Sequence, residues 1–318
     1  AQPLEAALDQ AGLSGPPEDA ARIEGDPPLL QSVDGFPALV SDPWLNGRLT
    51  TLHACSDLWA CGARVDSAQA IVTLPVLEAA EQQELLVQTL CGVRSVLEEQ
   101  QAQLIGGHTL ESRSELPHCP SLGVQLSLCV NGRGDSPWNK GGIAHGDVLL
   151  LSRPLGTGVL FAAAMAGACQ PEALDTVLQH MCRSQHRLLD QLEPHRQAIH
   201  ACTDVTGFGL LGHLGEMLAS SSPLRVTLWA NRIPAYPEAM DRFGQGYASS
   251  LAPANRRSWQ LLDGPIHLDE EPSQALLELL VDPQTCGPLL LACPETTAQT
   301  LTAEGPWIPI GNATADHG

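Results

Sequence analysis

Residues 203–214 read TDVTGFGLLGHL, and this run places Asp204 directly ahead of a glycine-rich turn. Glycines let backbone amides approach an anionic group closely, and Thr206 would add a hydroxyl to such a site. The glycine spacing is not a dinucleotide fingerprint, because no clear strand precedes it and no acidic ribose partner follows about twenty residues later. The run therefore indicates either a metal or phosphate site of another kind or a tight turn without a ligand.

Two further aspartates lie in apolar surroundings, where a solvated surface carboxylate is not expected. Asp34 lies beside a predicted strand at 32–33, and Asp57 lies in the apolar, helix-like stretch 52–63. Taken singly, an aspartate is more often a helix cap, a turn former or an exposed charge. Together with Asp204, these carboxylates would be costly to bury unless they were paired or bound to metal. Hard oxygen ligands suit magnesium on a polyphosphate, and the histidines show no zinc spacing.

The clearest predicted helix lies within residues 77–104. Apolar residues recur there at spacings of 4, 3, 4 and 7, which is typical of one stripe of an amphipathic helix. The stripe consists of Leu86, Leu90, Val93, Leu97 and Leu104. The sequence Gly106-Gly107-His108-Thr109 follows, and it predicts either a phosphate contact through backbone amides or a tight turn at the entry of a strand.

Shorter apolar runs predict the other elements. Alternation predicts strands at 124–130 and 224–228, and a continuous apolar run predicts one at 148–151. Further helices are predicted at 4–13, after Gly156, and at 172–192, the last with Val177, Met181, Leu188 and Leu192 on one face. A glycine-rich loop at 134–142 separates two halves that both contain strands and helices. We therefore predict an α+β fold with two domains, 1–135 and 136–318.

Composition and charge exclude several classes of protein. With 318 residues, of which 43% are hydrophobic, the chain can bury a large core, and no apolar run is long enough to span a bilayer. A formal net charge of -20 disfavours nucleic acid and anionic membranes as partners. Phosphate ligands would need a divalent metal to bridge the like charges. The ten cysteines form no CxxC pair, so reduced thiols and a cytoplasmic location are predicted.

The sequence also excludes an ordinary phosphate-loop enzyme. It contains no GxxxxGK[ST] motif, and its single lysine, Lys140, lies in the loop between the predicted domains. Cys202 is a poor nucleophile candidate, because it lies two residues from Asp204 and a thiolate near carboxylates would have a raised pKa. We interpret Cys202 and Cys286 as buried structural thiols.

Taken in order, these motifs resemble the selenophosphate synthetases of the aminoimidazole ribonucleotide synthetase-like superfamily over almost the whole chain. The matching segments are 18–21 (EDAA), Asp34 with its strand, 42–43 (DP), 47–48 (GR), 55–58 (CSDL), 106–109 (GGHT), 203–214 and 282–285 (DPQT). The run at 203–214 is the most specific of them. The resemblance implies a two-domain α+β fold whose N-terminal domain dimerises through its sheet.

The resemblance also implies an activity and a metal. In that family the γ-phosphoryl group of ATP passes to hydrogen selenide, and the remaining ADP is hydrolysed, giving selenophosphate, AMP and phosphate. It implies Mg²⁺ ligands at Asp19, Asp57 and Asp204. It further implies that Asp34 and Asp57 contact ATP or its metal within one subunit.

Across the dimer interface, the resemblance implies ATP contacts from Gly107, His108 and Thr109. The family's N-terminal segment, with its reactive cysteine and essential lysine, is not found before Asp19, so the catalytic residues are unassigned and a truncated chain or the tail of an oxidoreductase fusion is expected. A catalytically inactive ATP-binding and dimerisation module is the alternative function. Hydrogenase-maturation dehydratase, thiamine-phosphate kinase and the purine enzyme fit the motifs less well.

Overall fold

A computed structural model of the protein describes residues 18–112, 123–221 and 224–315. The predicted helix at 4–13 lies outside the described residues. Two β-sheets organise the chain, one built from residues 21–133 and the other from residues 147–315. Within the described part of the chain, no helix has the length and apolar character needed to cross a membrane.

The first sheet has five strands in the order β1-β2-β5-β3-β4. Its strands are β1 (Ala21–Ile23), β2 (Leu29–Pro37), β3 (Arg64–Leu74), β4 (Gln103–Glu111) and β5 (Gln125–Arg133). Helices α1 (Pro43–Ala60) and α2 (Ala79–Glu99) pack against each other and cover one face of this sheet. Strand β4 lies at the edge, parallel to β3. The strand predicted at 124–130 corresponds to β5, which extends to Arg133.

Helix α2 confirms most of the predicted apolar stripe. Val93 and Leu97 are buried, and Leu86 and Leu90 pack against the core. The prediction was wrong for Leu104, which lies in strand β4. The helix ends at Glu99, and Gln101 then takes a φ of 60°, which turns the chain into the strand. The seven-residue spacing between Leu97 and Leu104 matches the helical period only by coincidence, because this turn separates the two residues.

The second sheet has six strands in the order β7-β10-β6-β11-β8-β9. Its strands are β6 (Asp147–Leu151), β7 (Ala201–Asp204), β8 (Leu224–Leu228), β9 (Ile266–Leu268), β10 (Leu289–Pro294) and β11 (Ile308–Ala315). The α-helices of this half are α3 (Thr157–Met165), α4 (Pro171–Met181), α5 (Leu188–Leu192), α6 (Gly209–Ala219), α7 (Ala239–Gly244), α8 (Ala252–Asn255), α9 (Gln274–Val281) and α10 (Glu295–Glu304). Three 3₁₀ helices cover Glu193–Ala198, Ala230–Arg232 and Arg256–Asp263.

The single helix predicted at 172–192 is in fact two helices, α4 and α5. Carbonyl groups around the break accept hydrogen bonds from arginine side chains. Arg153 donates to the carbonyls of His180 and Arg183 at 3.2 and 3.0 Å, and Arg48 donates to Cys182 at 2.8 Å. The apolar period survives because both helices bury their inner residues against one core. These arginine contacts are nonlocal, so the sequence pattern could not reveal the break.

Helices α1 and α2 meet at a close contact between Gly92 and the backbone of Trp44. A Cβ atom added at Gly92 would lie 2.0 Å from the Trp44 carbonyl oxygen. We expect Gly92→Ala to lower the free energy of unfolding by about 1–3 kcal/mol, measured by urea denaturation. The control is Gly244→Ala at the end of α7, where an added Cβ meets nothing within 4 Å. An equal loss in both variants would contradict the close helix contact.

Candidate metal and nucleotide site

Three carboxylates from distant parts of the chain meet between the two sheets. One oxygen each of Asp19, Asp57 and Asp204 lies within 4.8 Å of the other two. Asp19 precedes β1, Asp57 lies in the last turn of α1, and Asp204 ends β7. The structure therefore brings together all three residues for which the family resemblance implied metal binding.

Helix α1 places Asp57 in the cluster. The helix begins at its N-cap Asp42, whose side chain accepts the Leu45 N–H at 2.8 Å, with Pro43 at the first helical position. Most of its surface is buried, because it packs on the first sheet and on α2 and also contacts β7 and β10 of the second sheet. A helix that is buried on most of its surface thus carries Asp57 into the interior.

Three hydroxyl groups orient the three carboxylates. Ser32 donates to Asp57 at 2.5 Å, Thr203 donates to Asp19 at 3.0 Å, and Ser56 donates to Asp204. Sequence reasoning missed these hydroxyls, although two of them adjoin a predicted ligand. Each bonds the carboxylate of a different segment, so the partners could not be read from sequence order.

The cluster is electrostatically unfavourable without a cation. Burial and the neighbouring Asp204 raise the pKa of Asp19 to about 7, although Lys140 lowers it in part. Burial and Asp204 also raise the pKa of Asp57 well above its usual value. Buried like charges at this distance cannot all ionise without compensation. A set of three carboxylate oxygens fits a hard divalent cation such as Mg²⁺.

Lys140 is the basic group nearest to this cluster among the described residues. Its Nζ lies 2.6 Å from Asp19 Oδ1 and 2.9 Å from Glu216 Oε2. Its side chain is only 6% exposed. Sequence analysis noted Lys140 as the single lysine of the chain but gave it no role at the site. The sequence did contain a signal for this contact: a single lysine in a chain of net charge -20 has many acidic residues with which it can pair.

Asp34 lies at the edge of the cluster and is held by His53. The Asp34 carboxylate lies 3.1 Å from His53 Nε2, and the Gly35 N–H donates to it at 2.6 Å. The backbone N–H of Cys286 donates to His53 Nδ1 at 3.1 Å, so the ring proton is on Nε2 and points to Asp34. Burial raises the pKa of Asp34, but the hydrogen bonds from His53 and the Gly35 N–H help to offset it, and the net pKa is lowered.

His53 was missed by sequence reasoning. It precedes Asp57 by four residues, so both side chains lie on the same face of α1. Through Cys286 it ties the Asp34 strand to the second half of the chain. Cys286 and Cys202 are buried, and burial raises the pKa of Cys286 to about 12 and that of Cys202 well above its usual value. Both are structural thiols in this fold, as expected.

A cleft of about 510 Å³ opens beside Asp34, between the two halves of the chain. The first half contributes residues 35–39 and His53, and the second contributes Phe161, residues 249–251 and residues 283–285, together with the glycine at 207. The lining is largely apolar, with several hydroxyl and amide groups. This composition is typical of a pocket for the organic part of a nucleotide.

Residues Gly107, His108 and Thr109 lie apart from the carboxylates within one chain. They belong to β4, all nine residues of which are exposed. Strand pairing places His108 in one row with Ile71, Ser127 and Gly35. Strands β4 and β2 are three strand positions apart, which is about 14 Å. These residues could therefore reach a ligand near Asp34 only from another subunit or after a large movement.

Two family models match the chain, "AIR synthase related protein, N-terminal domain" at residues 17–131 and "AIR synthase related protein, C-terminal domain" at residues 144–318. The chain belongs to the AIR synthase related family. A protein from Nitratidesulfovibrio vulgaris (strain DP4) named selenide, water dikinase is similar to it. The two are 35% identical over 285 residues, which is 87% of this chain and 76% of that protein.

Solved structures confirm the two-domain α+β fold. Thiamine monophosphate kinase from Aquifex aeolicus has a TM-score of 0.70 at 14% identity, over 99% of this chain and 94% of that one. Hydrogenase maturation protein HypE in complex with ATP has a TM-score of 0.60 at 18% identity, over 99% of this chain and 86% of that one. At these identities the structures show the fold of this AIR synthase related protein, whereas the relative at 35% identity confirms the resemblance to selenophosphate synthetases.

Proposed function

We propose that this AIR synthase related protein is a selenide, water dikinase, a phosphotransferase that forms selenophosphate, AMP and phosphate from ATP, selenide and water. The convergence of Asp19, Asp57 and Asp204 carries the proposal, because it supplies the oxygen ligands that a metal-bound polyphosphate needs. The relative of that name, at 35% identity, supports the choice of reaction.

In this proposal the three aspartates would hold Mg²⁺, which when bound neutralises the negative charge of the phosphates. The other residues of the site would position the carboxylates and the nucleotide. Ser32, Ser56 and Thr203 donate to the carboxylates and would fix their direction towards a bound ion. His53 holds Asp34 beside the cleft, where it would contact the nucleotide or its metal.

The cleft beside Asp34 would take the nucleoside part of ATP. A nucleoside bound there would lie beside Gly35 and His53 on one side and Gly207 on the other. Gly207 contributes to the lining, and an added Cβ there would meet no atom within 4 Å. The Thr206 and Gly209 amides of this turn are bonded within the chain, to His213 Nε2 and to the Thr206 carbonyl, so a phosphate would be contacted by the intervening amides of Gly207 and Phe208.

We also propose a homodimer formed through the first sheet. The outer face and edge of this sheet expose apolar residues that the helices do not cover. They are Val33, Ile71, Leu104, Ile105 and Leu110. An exposed strand edge with apolar neighbours is a typical site of association. Across such an interface, Gly107, His108 and Thr109 of one subunit would reach the ATP site of the other.

The proposed domain limits remain 1–135 and 136–318, with one sheet on each side of this boundary. A cytoplasmic location and a fused oxidoreductase upstream stay predictions of the sequence. The test of function is ³¹P NMR of ATP, selenide and MgCl₂ with this chain and with the product of its complete coding sequence. We expect selenophosphate and AMP to form only when selenide and Mg²⁺ are both present. ATP binding without AMP formation in either protein would favour the inactive ATP-binding module.

Metal binding should also change how stability depends on pH. The pKa of Asp19 is about 7 in the folded chain, against 3.8 ordinarily. A carboxyl whose pKa is raised by folding binds more protons in the folded state, so stability falls as pH rises from about 4 to 7. We expect the melting temperature of the metal-free protein to decrease between about pH 5 and pH 8.

Mg²⁺ binds the ionised carboxylates, so saturating MgCl₂ should raise the melting temperature more at the higher pH than at the lower. Asp282, whose pKa burial also raises to about 7, binds no metal in this proposal. Its ionisation should therefore still lower the melting temperature as pH rises, even in saturating MgCl₂. An equal effect of MgCl₂ at both pH values would contradict a metal site at Asp19.

A further inference from the structure

Lys140 contacts Asp19, one of the three aspartates that would bind the metal. Its ammonium contacts Asp19 Oδ1 at 2.6 Å, and the Thr203 hydroxyl donates to the same oxygen at 3.0 Å. The Lys140 backbone is fixed as well, because its N–H donates to Glu18 at 3.3 Å. The Lys140 ammonium is therefore held in a defined position in the interior and is not a mobile surface group.

A divalent ion bound to Asp19 would repel this ammonium. The side chains of Asp19 and Lys140 are only 4% and 6% exposed, so water screens their charges poorly. Metal coordination by Asp19 would therefore weaken the contact with Lys140. The released charge needs another acceptor close by.

Glu216 provides that acceptor. Its carboxylate already lies 2.9 Å from Lys140 Nζ, and burial, which raises its pKa, is outweighed by His213 and Lys140, which lower it to about 2. Glu216 also lies 3.4 Å from His213 Nδ1, and His213 Nε2 accepts the Thr206 N–H at 3.1 Å. The ammonium can thus leave Asp19 and remain paired, next to the glycine-rich turn.

We propose that Lys140 is an internal counter-ion of Asp19, which Mg²⁺ displaces towards Glu216, and that this exchange sets the affinity of the site for metal. Lys140 is in this sense a positioning residue of the metal cluster. The inference rests on the metal site of the proposed function.

The single lysine allows a direct test. Protein labelled with ¹⁵N-lysine gives one side-chain ammonium signal, from Lys140. We expect Mg²⁺ alone to shift this signal in step with binding measured by calorimetry. Binding without a change of the lysine signal would overturn the exchange and leave the metal site intact. If neither signal nor heat responds to Mg²⁺, the metal site itself is wrong.

Affinity gives an independent test. At about pH 8.5, we expect Lys140→Met to bind Mg²⁺ at least about fivefold more tightly than the wild type, because no internal cation competes. Lys140→Arg, which keeps the charge, should not gain affinity. A purely structural lysine would give weaker or unchanged Mg²⁺ binding in Lys140→Met, and that result would overturn the proposal. The lysine signal of the wild type decides the question if the variant fails to fold.

Discussion

Replacing Asp204 by asparagine is expected to lower selenide-dependent AMP formation by about a thousandfold, which corresponds to about 4 kcal/mol of transition-state stabilisation. Asp204 is one of three carboxylates within 4.8 Å of one another, and it is 2% exposed. The asparagine has the same shape but carries no charge, so Mg²⁺ would lose a strong ligand. Calorimetry with MgCl₂ and the AMP assay measure the two effects separately.

The same substitution should not unfold the metal-free protein. Asp204 raises the pKa of both Asp19 and Asp57, so its removal relieves repulsion. We expect an unchanged or higher melting temperature for Asp204→Asn in the presence of EDTA. Asp147→Asn is the matched control, since Asp147 is 1% exposed and pairs with His200 at 2.8 Å outside the cluster. Asp147→Asn should lose stability and keep Mg²⁺ binding; equal loss of binding in both variants would contradict the assigned ligands.

The sequence predicted secondary-structure elements well where the pattern was local. Periods of two identified β5 and β8, and a period near 3.6 identified α2, because each pattern reflects one buried face of one element. The break between α4 and α5 was missed because its carbonyls are bound by Arg153 and Arg48, which are distant in the chain. Local patterns contain no information about such partners.

At the candidate site, too, residues that belong to local motifs were predicted, whereas residues defined by long-range contacts were not. The family resemblance implied Asp19, Asp57 and Asp204 as a group, and the fold brings them together. Lys140 and His53 were not assigned, because their roles depend on contacts with Asp19, Glu216, Asp34 and Cys286 across the tertiary structure. The separation of residues 107–109 from the carboxylates within one chain follows only from the sheet order. Their predicted ATP contact depends on a second subunit.

Replacing Ile71 by lysine is expected to convert the proposed dimer to a monomer and to lower AMP formation at least about tenfold. Ile71 lies in the row Gly35, Ser127, Ile71 and His108 on the uncovered face of the first sheet, and it is 50% exposed. A buried charge at the centre of an interface costs at least about 2 kcal/mol, so the dimer dissociation constant should rise about thirtyfold. Analytical ultracentrifugation measures this change. Activity should fall because each ATP site loses residues 107–109 of the partner subunit.

Val76→Lys is the matched control, because Val76 is 62% exposed but lies in the connection between β3 and α2, outside the sheet face. It should leave both mass and activity unchanged. Raising the protein concentration should restore activity to Ile71→Lys, since mass action reforms the dimer, whereas local damage to the sheet would not respond to concentration. A fully active monomer would contradict a contribution of Gly107, His108 and Thr109 across the interface. A monomeric wild type would contradict the dimer itself, and the exposed edge strand β4 would then require another partner.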